Sequence, residues 1–112
     1  MHITTSSIKT GNSFSSAPLS TLDSEGTLVL LFGAPDLIDA PHRIREVVDA
    51  CPRSHVMGCS TAGEIHGCEI SDDSIAVAAL RFDNTPIRTA HAAVHSPNDS
   101  YAAGRAIAAQ LR

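Results

Sequence analysis

The constraint that most narrows the fold is the stretch Thr27-Leu28-Val29-Leu30-Leu31-Phe32, stopped by Gly33-Ala34-Pro35-Asp36. An unbroken apolar run of this length suits a strand covered on both faces, the signature of a parallel α/β sheet. A helix pattern follows directly. Asp39 is placed to cap it, Pro41 fits its first turn, and Pro52 ends it. Ile44, Val47, Val48 and Cys51 recur at i, i+3, i+4 and i+7, which makes one apolar stripe. His55–Cys59 then reads as a second strand. Strand, helix and strand within about thirty residues predict a βαβ unit with parallel strands.

The rest of the chain extends this unit. Met1–Ile8 is a candidate edge strand, and the Ser-, Thr- and Gly-rich stretch from Gly11 to Gly26 reads as a loop. Ile65–Ile70 forms a short extended piece. Ser74–Phe82 is a third strand, Asp83-Asn84-Thr85-Pro86 a tight turn, and Ile87–Val94 an antiparallel return strand. Ser96-Pro97-Asn98-Asp99 has the form of a capping box with proline at the first helical position, opening a helix over Pro97–Arg112. Ala103, Ile107 and Leu111 mark its apolar face. The expected fold is α/β: a βαβ unit with parallel strands, extended by an antiparallel hairpin and a C-terminal helix, as an incomplete larger sheet. The division is an N-terminal edge segment and loop over 1–26 and a main unit over 27–112.

Composition removes several function classes. A net charge of −4 with scattered basic residues argues against nucleic acid as a partner. No segment approaches the roughly 20 apolar residues of a membrane helix. The N-terminus lacks a basic region followed by an apolar run, so it is not a signal peptide. Three widely spaced cysteines fit neither a disulfide framework nor a zinc site built from close pairs. The expectation is a reduced, cytoplasmic protein.

Chemistry concentrates where the second strand ends, in Met57-Gly58-Cys59-Ser60-Thr61-Ala62-Gly63-Glu64-Ile65. Ligands of parallel βαβ units sit beyond the carboxyl ends of the strands. Here those ends are Gly33–Asp36 and Cys59–Glu64. If the two strands are neighbours, Asp36, Cys59, Ser60, Thr61, Ala62, Gly63 and Glu64 line one site. The carboxylates of Asp36 and Glu64 would pair with a ligand ammonium, and hydroxyls and backbone N–H groups would bind a ligand carboxylate. An amino-acid-like molecule fits that description. The bland reading is a structural turn whose hydroxyls bond local backbone.

The remaining reactive residues carry weaker signals. Cys59 has no basic neighbour to activate its thiol and is expected to be a buried small side chain. His91 and His95 lie four apart, and in the expected strand they would be about 13 Å apart, too far to share one ion. His66 is the best single candidate for a haem or metal ligand, and Cys51-Pro52 is a dipeptide found where a thiolate binds haem. A hydrolase using Cys59 or Ser60, with His66 and Asp72, lacks the nucleophile elbow, and no lysine follows the loop to make a Walker motif. No enzymatic activity is expected.

The runs Leu28–Pro35, Val56–Ile65 and Ser74–Ala78, and above all the string Gly58-Cys59-Ser60-Thr61-Ala62-Gly63-Glu64-Ile65, resemble the N-terminal FIST domain over residues 27–112. The resemblance implies an intracellular sensory module that binds a small ligand, amino acids being suggested. It would signal to a partner such as a histidine kinase or diguanylate cyclase. It implies no cofactor in the main reading. The alternative it implies is a haem-binding, nitric-oxide-responsive sensor, for which His66 and Cys51 are the candidate ligands. A third reading is a truncated structural or interaction module without ligand. The family's N-terminal domain is longer and is followed by a C-terminal FIST domain, so the chain is expected to be a front portion with that second domain absent.

Overall fold

The computed structural model describes residues 1–9 and 11–112. Its main sheet has four strands: β1 (His2–Lys9), β2 (Thr27–Gly33), β3 (His55–Ser60) and the long strand Ser74–Arg81. A hairpin, β4 (Glu64–His66) and β5 (Glu69–Ser71), precedes the last of these, which is therefore β6. The order across the sheet is β1-β6-β2-β3. β6 runs antiparallel to both β1 and β2, and β2 and β3 are parallel, in register from Leu28↔His55 to Gly33↔Ser60. The predicted mixed α/β architecture is present: a parallel pair, an antiparallel hairpin and a C-terminal helix.

Among the described residues three α-helices complete the fold: α1 (Ala17–Ser20), α2 (Pro41–Ala50) and α3 (Ser100–Gln110). α1 falls inside the stretch read as a loop. Its Leu19 is fully buried in a core that also holds Ile8, Val29, Leu31, Val47, Cys51, Ile75, Val77 and Ala79. Phe14 and Leu22 pack against that core. The polar composition of the region conceals these three apolar anchors. At its exit, buried Thr27 donates its hydroxyl to the carbonyl of Leu22.

β2 departs from the expectation of cover on both faces. Val29 and Leu31 are buried, Leu28 and Leu30 are half-buried, and Phe32 is exposed. α2 supplies buried Val47 to the first face only. The cap of α2 also differs, because Ala40 holds the N-cap position without a side-chain bond and Asp39 does not cap. The C-terminal helix begins as a single 3₁₀ turn over Pro97–Asp99. The Asp99 carboxylate accepts from the Ser96 backbone N–H at 2.9 Å and from the Ser96 hydroxyl at 3.1 Å, reciprocal capping that begins the helix.

The return strand expected at Ile87–Val94 does not form. β6 already has a partner on each side, β1 and β2, so no edge is left for a hairpin return. The antiparallel hairpin lies earlier, at β4–β5, where Gly67 at φ +62° supplies the turn. Residues 87–94 are irregular, and Thr89 among them meets the start of β3, with His55 Nδ1 3.1 Å from Thr89 Oγ1.

Candidate functional site

β2 and β3 end side by side. The Thr61 amide donates to the Gly33 carbonyl at 2.9 Å, and the Ala34 amide donates to the Ser74 carbonyl at 3.1 Å. The strand tips and the start of β6 are thus tied at one corner of the sheet. Gly58 makes the close approach of β3 possible: a Cβ there would stand 2.6 Å from the Leu31 carbonyl oxygen.

Below this corner, between α2 and the ends of β2 and β3, is an open pocket of about 590 Å³. Leu31, Leu37, Ile44, Val48, Val56, Met57 and Ile75 are the large apolar residues of its lining, with Pro35 and Gly58 among the others. Among the described residues no charged side chain lines it. Of its lining residues only Cys59 and Ser60 have polar side chains, and the pleat that puts Ser60 on the α2 side with Gly33 turns the Cys59 side chain to the other side with Phe32. The stripe read on α2 therefore divides. Val47 and Cys51 enter the core, and Ile44 and Val48 remain 39% and 40% exposed because they face the pocket. Sequence periodicity marked all four alike and could not separate core from pocket wall.

The structure splits the candidate loop into two groups. Cys59 and Ser60 stand at the pocket. Thr61, Ala62, Gly63 and Glu64 do not line it. Glu64 is only 3% exposed, and its carboxylate is fully engaged within the fold. Oε1 accepts from the Thr61 hydroxyl at 2.7 Å, and Oε2 accepts from the Ser74 hydroxyl at 3.0 Å and the Ser74 amide at 3.2 Å. Glu64 therefore clamps the exit of β3 to the entry of β6. Asp36 is exposed on the 3₁₀ turn Pro35–Ile38, whose Pro35 and Leu37 line the pocket. It stands outside the lining.

Cys59 is exposed, contrary to the expectation of a buried side chain. The reason is topological, since β3 is an edge strand whose residues from Met57 onward face solvent. Cys68 is also exposed, and Cys51 is buried at the foot of α2. Burial pushes the Cys51 thiol up from its ordinary range, and the nearby negative charge of Asp23 adds to the effect.

Cys51 does not fit a haem thiolate. Its thiol is 2% exposed within the core cluster and is biased toward the neutral form. His66 lies on the β4–β5 hairpin and not on the pocket wall. His91 and His95 are exposed in irregular chain. Among the described residues, no group of three or more His, Cys, Asp or Glu side chains is placed to hold a metal ion.

The FIST N domain matches this sequence over residues 27–112, which takes in β2 to α3 and both strand tips of the pocket. The chain belongs to the FIST N domain family. FIST domains are sensory, signal-transduction domains. No curated protein and no solved structure matches the chain. β1 lies ahead of the matched FIST residues yet pairs with β6 along eight residues, so it is part of the same sheet. No helix among the described residues is long and apolar enough to cross a membrane.

Proposed function

We propose that this FIST domain receives a small ligand with an apolar body and one hydrogen-bonding end in the pocket between α2 and the tips of β2 and β3. An amino acid with an apolar side chain fits that description. The observation that carries this reading is an uncharged, largely apolar pocket at the paired carboxyl ends of two parallel strands, the position where open α/β sheets take ligands.

The apolar body would rest on Ile44, Val48 and Leu37. A carboxylate at the other end would meet the Ser60 hydroxyl and nearby backbone amides, and an ammonium at the mouth would be within reach of the exposed Asp36 turn. Glu64 has no part in recognition, because its acceptors already hold donors of the fold. Empty, the pocket leaves Ile44 and Val48 partly in water. A ligand that covers them favours the arrangement in which α2 closes on the strand tips. A partner such as a histidine kinase or diguanylate cyclase would read that shift.

The test is thermal melting with leucine, isoleucine and phenylalanine against aspartate and lysine. At a hundredfold excess over the dissociation constant the linkage is worth about 2.7 kcal/mol, or about 11 °C at roughly 2.1 cal/mol/K per residue. An Ile44→Lys variant should melt near the wild type and lose the shift. Equal responses to apolar and charged amino acids, or none to either, would refute the reading.

A further inference from the structure

α2 has a second flank. Ile44 and Val48 line the apolar pocket and Val47 enters the core, whereas His42, Arg43, Glu46 and Asp49 line a separate open pocket of about 560 Å³. The segment ahead of α1, with Ser13 and Phe14, forms its far wall. At 3.6 residues per turn the four helical side chains fall within about a third of the circumference of α2.

Charge in this pocket is ordered. His42 and Arg43 stand in the first turn of α2, Glu46 follows a turn later, and Asp49 lies in the last turn. That order opposes the helix macrodipole, which favours anions at the N-terminal end and cations at the C-terminal end. The fold does not relieve it. Arg43 Nη1 donates to the Lys9 carbonyl oxygen at 3.1 Å, which steadies the guanidinium and leaves most of its donors free. Among the described residues neither Glu46 nor Asp49 has a hydrogen-bond or ion-pair partner, and Arg43 pairs with neither.

A ligand that completes this arrangement carries the opposite charges in the matching order. A carboxylate would take the Arg43 guanidinium, whose planar fork suits it. An ammonium, with three donors, would lie between Glu46 and Asp49. From Arg43 to the midpoint of the two carboxylates is about 7 Å along the helix axis. A short run of methylenes between the ionic ends covers that distance, and half-buried Phe14 and Ala50 offer it apolar surface. An α-amino acid fits badly, lysine included. Its α-ammonium is fixed next to its carboxylate and so falls beside Arg43, where like charges repel.

We propose that this flank of α2 binds an ω-amino acid, its carboxylate on Arg43 and its ammonium between Glu46 and Asp49. The site shares no lining residue with the apolar pocket and does not depend on a ligand there.

The probe is δ-aminovalerate, titrated into the full chain at low ionic strength and followed by calorimetry. Saturable binding at one site is expected, with lysine and α-aminobutyrate weaker by about tenfold or more. The Glu46 and Asp49 side chains are exposed and unpartnered, so Glu46→Gln and Asp49→Asn chains should melt as the wild type does and bind about tenfold more weakly. Excess leucine should leave the titration unchanged. Absence of saturation, equal binding of lysine or α-aminobutyrate, unchanged binding by Glu46→Gln, or competition by leucine would each overturn the proposal. A chain whose melting responds to leucine but which takes up no δ-aminovalerate keeps its apolar pocket as a ligand site and loses this one.

Discussion

Replacing Glu64 with alanine removes one carboxylate and three hydrogen bonds at the corner where β3, β6 and the pocket meet. Two of the three donors are hydroxyls, which can turn elsewhere. Thr61 Oγ1 lies 3.5 Å from the Gly33 carbonyl oxygen, a poor second acceptor. The Ser74 amide is fixed by the backbone and is left without its partner inside a buried residue. An orphaned buried donor costs about 1–3 kcal/mol, and bonds to a charged acceptor are worth about 1.5–3 kcal/mol each. Relief of the desolvation of the buried carboxylate offsets part of that loss. The net destabilisation is about 2–3 kcal/mol, which for 112 residues at about 2.1 cal/mol/K each lowers the melting temperature by about 8–13 °C. Glu64→Gln keeps one acceptor and should lose about half as much. The assay is calorimetry of the ligand-free chain at pH 7. An alanine variant melting within about 2 °C of the wild type would show that the clamp contributes little and refute the reasoning. A variant that melts normally but no longer responds to ligand would return Glu64 to the binding site.

Alkylation by iodoacetamide under native conditions should modify Cys59 and Cys68 and spare Cys51 until the chain unfolds. Because folding raises the Cys51 pKa, the unfolded chain releases a proton near pH 8.5 that the folded chain keeps. This contribution is fully present below that pH and declines as pH rises through it, and Cys51→Ala should remove that part of the alkaline slope in denaturant melts. Leu19→Ala should cost about 2–5 kcal/mol, and a smaller effect in urea titration would show that α1 is not part of the core.

Much of the fold was legible because its signals are local. The apolar runs at Thr27–Phe32 and Ser74–Phe82 became β2 and β6, and the stripe on Pro41–Ala50 became α2. The capping residues Ser96 and Asp99 marked the helix that follows. The misses share one cause, competition for partners across the chain. Ile87–Val94 has strand-like residues but no place beside β6, because β1 arrives from the N-terminus and takes it. α1 was invisible because three apolar residues in a polar stretch acquire meaning only when a core stands beside them.

The candidate site divides in the same way. The sequence by itself placed small and polar residues at the carboxyl end of an apolar strand, because chain order and side-chain size are local properties. Only the tertiary structure assigned Cys59 and Ser60 to the pocket and Glu64 to a clamp, because the donors that engage the carboxylate include Ser74, ten residues further along the chain. Neither the pocket between α2 and the strand tips nor the bare edge of β3 belongs to any one segment. Both exist because strands distant in sequence pack in one order, which puts β3 at one edge of the sheet and β1 at the other.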